Sequence, residues 1–158
     1  MSWSVASETL SVAVLAGGDS PERAVSVVSG REATVALVAL GHRVERFDPL
    51  DTPVANVDWS RFDVCFIALH GGAGEDGRVQ RELEERGVIY TGSGPEASQL
   101  AMSKSAAKQR FAQARVPTPA HNVFAQHEVL ATILRECEPL GWPLAVKPEG
   151  QTSCRLSQ

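Results

Sequence analysis

Four residues of this chain stand where side chains could do chemistry: Glu22, His70, Lys104 and Lys147. Glu22 follows Gly17-Gly18-Asp19-Ser20-Pro21, at the predicted start of a helix. An acid there complements the helix dipole, worth about 0.3–1 kcal/mol, and it could equally offer a carboxylate to a ligand ammonium. His70 ends the apolar run Val64-Cys65-Phe66-Ile67-Ala68-Leu69 and precedes Gly71-Gly72-Ala73-Gly74-Glu75-Asp76-Gly77. A histidine at that junction is a poor core filler and well placed to touch a ligand. Glu75 and Asp76 read equally well as contacts of the same kind or as the cap of the next helix. Lys147 lies between Leu144-Ala145-Val146 and Pro148, so its ammonium sits at a rigid strand end, where a point charge suits phosphate. Lys104 is a second candidate phosphate contact, although alone, among serines on a helix, it reads as a surface lysine. Neither Gly-x-x-x-x-Gly-Lys-Ser/Thr nor Gly-x-Gly-x-x-Gly occurs, which argues against a P-loop and against dinucleotide binding.

The elements that must position these residues alternate. Ser11 to Ala16 reads as a strand stopped by Gly17-Gly18, and Ser20 and Pro21 as N-cap and first position of a helix running to about Leu40. On that helix Val27, Gly30, Thr34, Leu37 and Val38 are expected on one face. Val44 to Phe47 completes a βαβ unit. Pro49 to Trp59 is a Pro- and Asp-rich connection without a readable element. Val64 to Leu69 is the expected organising strand, followed by a helix from about Gly77 to Arg86 with Arg78–Glu82 and Arg81–Glu85 pairs, then a strand at Val88-Ile89-Tyr90 and a turn at Gly92-Ser93-Gly94. Three strands thus end in glycine-bearing loops at one edge of a parallel sheet, the place where ligands of open α/β sheets bind. Beyond Ser103 the character changes. A helix at Lys104 to Ala114, a break at Val116-Pro117-Thr118-Pro119, a strand at His121 to Phe124, a helix at Gln126 to Glu138 and a strand at Leu144 to Val146 open a second module. The expected division is residues 1–102 and 103–158.

Composition narrows the class. The 158 residues are 43% hydrophobic with a formal net charge of −4, and no basic run marks a nucleic-acid surface. Three scattered cysteines form neither a disulfide framework nor a metal knuckle. With no basic leader and no apolar run of spanning length, the expectation is a soluble cytoplasmic α/β protein without membrane contact.

Ala16-Gly17-Gly18-Asp19-Ser20-Pro21-Glu22-Arg23-Ala24-Val25-Ser26, Ala68 to Gly77, and Tyr90-Thr91-Gly92-Ser93-Gly94, in this order and spacing, resemble the N-terminal signatures of the D-alanine–D-alanine ligases of the ATP-grasp superfamily. Met102-Ser103-Lys104 and Val146-Lys147-Pro148 resemble the opening of that family's ATP-grasp part. The resemblance implies an open parallel, Rossmann-like pre-ATP-grasp substrate domain followed by an incomplete ATP-grasp fragment. It also implies a ligase that uses ATP and Mg2+ to phosphorylate one D-alanine and join it to a second for peptidoglycan. Glu22 would hold the ammonium of the first D-alanine with His70 lining the same site, Lys104 and Lys147 would contact ATP phosphates, and Ser153 would match the serine of a phosphate-closing loop. Around Ser153 the sequence departs from the family pattern, as though the chain were a truncated or frameshifted ligase, inactive by itself. The metal ligands would lie beyond it. A different ATP-grasp carboxylate–amine ligase and a non-catalytic small-ligand or partner-binding α/β module remain open alternatives, and so does a homodimer.

Overall fold

A computed structural model describes residues 8–150, so Ser153 lies outside the described residues. Contacts divide the chain into two compact units between Gln99 and Leu100.

The first unit is built on a parallel sheet in the order β2-β1-β3, with β1 at Ser11–Leu15, β2 at Arg43–Phe47 and β3 at Val64–Ile67. The open parallel sheet with flanking helices is therefore as the sequence indicated. The middle strand is β1, however, and not the Val64 run. Its residues Val12 to Leu15 are essentially inaccessible because both faces are covered, which is why the strand is apolar without alternation. Val12, Val14 and Ala16 pack on one face with Ala68 and Leu37, the latter on helix α1 (Arg23–Ala39). Leu15 and Cys65 pack on the other with Val54, Leu69, Val79 and Leu83, the last two from helix α2 (Arg78–Glu84). β2 is an edge strand and keeps Arg43 and Arg46 exposed, as edges commonly do.

Several expectations shift. Helix α1 starts at Arg23, because Ser20 and Pro21 form a turn in which the Ser20 hydroxyl accepts the Glu22 amide and the Ser20 carbonyl accepts that of Arg23. Its inner face is Ser26, Gly30, Thr34 and Leu37, whereas Val27 and Val38 are exposed. The Pro49–Trp59 connection contains a short 3-10 turn, Val54–Asn56, that buries Val54, and a second follows at Trp59–Arg61. Val88-Ile89-Tyr90 is reduced to a single bridge from Tyr90 to Cys65, and Ile89 is 70% exposed. Arg78 pairs with Asp76 at 2.8 Å, and Arg86 takes Glu82 at 3.3 Å in place of the expected pair. Asp76 also accepts the Arg78 amide from one residue ahead of the Gly77 N-cap, which itself carries no side-chain cap bond.

The second unit carries helices α4 (Lys104–Gln113) and α5 (Leu130–Cys137), while α3 (Pro95–Met102) spans the divide. Ser103 caps α4 through its hydroxyl, and the Lys108 ammonium ties the proline break to that helix through the Pro119 carbonyl at 2.7 Å. His121–Phe124 and Leu144–Val146 are not strands here, and Val146 is 86% exposed.

Candidate functional site

The strand-end loops of the first unit are held by hydroxyls. Ala68 donates its amide to Leu15 at 2.9 Å, so the next rung of the β1–β3 ladder would run from the Gly17 amide to the Ala68 carbonyl. The fully buried Ser26 hydroxyl occupies that place instead, accepting from Gly17 and donating to Ala68, both at 2.8 Å. One inserted oxygen thus parts the two strands where the crevice opens. Ser20 donates to the His70 carbonyl at 2.5 Å, and the Ser29 hydroxyl lies 2.9 Å from His70 Nε2. Ser20, Ser26 and Ser29 therefore bind residues 68–70 to the first loop and α1.

This stitching brings Glu22 to His70. A Cβ added to Gly71, whose φ is +66°, would fall 2.5 Å from Glu22 Oε2, so the carboxylate lies against the glycine that follows His70. Glu75 Oε1 stands 3.9 Å from His70 Nδ1 on the opposite side of the ring from Ser29. Glu22 and Glu75 thus each lie beside the His70–Gly71 junction at the ends of β1 and β3, where a carboxylate could meet a ligand ammonium. Beside them is a cavity of about 260 Å³ lined by both glycine loops and by Pro49, Leu50, Pro53 and Val54. Glu22 and Glu75 are not among its lining residues, nor is any residue of the Gly92–Gly94 loop, so two of the three expected loops face it.

Asp48, which the sequence reading passed over, fixes the first loop. Its Oδ1 accepts the Gly18 and Leu50 amides at 3.0 Å, and its Oδ2 meets the Arg23 guanidinium at 2.6 Å. Burial pushes its pKa up, but the two amides and Arg23 outweigh that and hold it below the usual carboxylate value. Arg23 also donates to the Gly18 carbonyl, which locks the residue next to Glu22 onto the turn. The signal available in the sequence was an acid directly after an apolar strand, Phe47-Asp48-Pro49.

In the second unit Glu149 Oε1 accepts from the Ser103 hydroxyl (2.8 Å), the Ser105 amide (3.0 Å) and the Ser105 hydroxyl (2.7 Å). The Ser105 amide and hydroxyl, followed by Ser103, hold its pKa below the ordinary glutamate value. Lys104 Nζ donates to the Glu149 carbonyl at 3.3 Å. Lys147, exposed two residues earlier, is thereby held in the segment docked beside Lys104. Among the described residues no three His, Cys, Asp or Glu side chains gather to hold a metal ion, so they supply no donor set for Mg2+. No helix of the described residues is long and apolar enough to cross a membrane.

The first unit is an open parallel α/β unit with glycine loops at its strand ends, the edge at which ligands of such sheets sit. Comparison makes this particular: residues 42–93 match the family model described as D-ala D-ala ligase N-terminus. A D-alanine–D-alanine ligase of Gloeobacter violaceus is 43% identical over 138 residues, 87% of this chain and 45% of that protein. One of Alcanivorax borkumensis is 46% identical over 143 residues, 90% of this chain and 43% of that protein. Among solved structures, the D-alanine–D-alanine ligase of Bacillus anthracis complexed with ATP superposes with a TM-score of 0.74 at 29% identity, covering 90% of this chain and 48% of the other. Over most of its length the chain is similar to the N-terminal part of D-alanine–D-alanine ligases, and it spans less than half the length of the relatives it matches.

Proposed function

We propose that the chain is the substrate-binding part of an ATP-dependent D-alanine–D-alanine ligase of the ATP-grasp superfamily, working in the cytoplasm in peptidoglycan synthesis. The observation that carries this is the Glu22 carboxylate lying against Gly71 beside His70, joined to relatives of that name at 43–46% identity. Glu22 meets the ammonium of the first D-alanine by a charge-assisted contact, with His70 in the same wall. Lys104 and Lys147, on segments joined through Glu149, supply positive charge to ATP phosphates. Phosphoryl transfer depends on positioning and charge stabilisation, which is what paired lysines provide. Mg2+, when bound, would neutralise phosphate charge. A homodimer forms part of the proposal and is tested by light scattering.

The deciding experiment is ligand-observed NMR of the chain with D-alanine and with L-alanine, on the native sequence and on Glu22→Gln. D-alanine should bind in preference to its enantiomer, and the substitution should weaken it by about 1.5–3 kcal/mol, the worth of a hydrogen bond to a charged group. Equal binding of both enantiomers, or an unchanged affinity in Glu22→Gln, refutes the assignment.

A further inference from the structure

We propose that Ser29 is a positioning residue that sets the tautomer of His70, keeping the ring proton on Nδ1 and turned toward Glu75. The Ser29 hydroxyl is 2.9 Å from Nε2, and the Glu75 carboxylate faces Nδ1 at 3.9 Å. A neutral imidazole carries one N–H and one lone pair. With the proton on Nε2, the Nδ1 lone pair would oppose a carboxylate; with the proton on Nδ1, its N–H faces that carboxylate and Ser29 donates to Nε2. The second arrangement hydrogen-bonds Nε2 and turns the Nδ1 proton toward the carboxylate at 3.9 Å, an electrostatic contact rather than a hydrogen bond. Glu75 retains acceptor capacity for it, since its Oε2 is buried without a hydrogen-bond partner among the described residues. The groups placed beside the ring are Ser29 from α1 at Nε2 and Glu75 from the loop beyond at Nδ1, with Glu22 beside Gly71, and the negative charge of Glu75 favours the proton on Nδ1.

The assignment changes what His70 does. Nε2 is taken by Ser29 and Nδ1 is turned to Glu75, so the ring stands between α1 and that carboxylate and presents no lone pair to a ligand. On the D-alanine reading, on which this last step rests, the substrate ammonium meets carboxylates that His70 holds in place.

The test is a long-range proton–nitrogen NMR spectrum of the 158-residue chain labelled with 15N-histidine at neutral pH, with His70 assigned by His70→Gln. The native chain should show a protonated Nδ1 and an unprotonated Nε2. Ser29→Ala should lose that tautomer as the majority species, reverting toward the Nε2–H form that free imidazole prefers, and Ser29→Thr should restore it. A majority Nε2–H form in the native chain overturns the proposal even if the variants fail to fold. So does an unchanged His70 pattern in folded Ser29→Ala. Addition of D-alanine tests the ligand reading separately: a silent His70 refutes that reading and leaves the tautomer result to stand or fall by the spectrum without ligand.

Discussion

Replacing Ser26 by alanine removes one oxygen and leaves two backbone groups without partners. The side chain is fully buried, and its hydroxyl both accepts from Gly17 and donates to Ala68 at 2.8 Å. An orphaned buried donor or acceptor costs about 1–3 kcal/mol, so two of them, partly relieved by local relaxation, should cost about 2 kcal/mol. For a unit of this size that corresponds to a fall of roughly 8–16 °C in the unfolding midpoint. The assay is a calorimetric melt together with amide hydrogen exchange at Gly17, which should accelerate because its acceptor has gone. The ladder offers one alternative. Without the inserted oxygen the strands could close by one rung and bond Gly17 directly to Ala68. A midpoint within about 2 °C of the native value, with Gly17 still protected, would show that rung forming and refute the view that Ser26 is required to keep the loops apart.

Asp48→Asn should lower stability by about 1.5–3 kcal/mol at neutral pH, since a carboxylate holding Arg23 and two amides becomes a neutral amide. Because the folded Asp48 pKa lies below its ordinary value of 3.8, its contribution is present above that pH and is lost as pH falls through the folded pKa. Urea melts of both proteins should therefore differ at pH 6 and converge in strong acid; a constant gap would refute the linkage. Cys65 is fully buried and burial raises its thiol pKa to about 12. In the folded chain it should resist iodoacetamide at pH 8 and become alkylated in denaturant, as read by peptide mass mapping.

Much of the first unit was legible because its signals are local. Val12 to Leu15 is apolar on both faces, and glycines stand where φ turns positive, as at Gly17 and Gly71. What escaped depends on partners distant in sequence. Val88-Ile89-Tyr90 has strand composition, yet only Tyr90 meets a partner, so residue preference outran pairing. Leu144–Val146 has strand composition too, and its backbone forms no strand. Helix α1 misled because its exposed valines looked like the buried face, while Glu22, Ser26 and Ser29 share one side through i, i+4 and i+3 spacing. Serines on a helix face turned toward strand ends were the available sign that backbone groups there needed partners. Glu149 was unreadable as an anchor because its three donors lie more than forty positions away.

Gly30 gives α1 a gauge as well as a face. A Cβ there would collide with that of Ala16, so helix and strand end meet with only the Ala16 methyl between them. Hydroxyls are short, and Ser26 and Ser29 reach Ala68 and His70 only because the two backbones are this close. The outer surface of α1, with Val25, Val28 and Val35 open to solvent, can drift in sequence with little effect on that spacing. A single methyl group at position 30 cannot: lifting the helix would stretch both serine links together, and the loop ends would lose their alignment without any change to a residue that touches a ligand. The tolerance of this site is therefore set from beneath, by the thickness of one missing carbon.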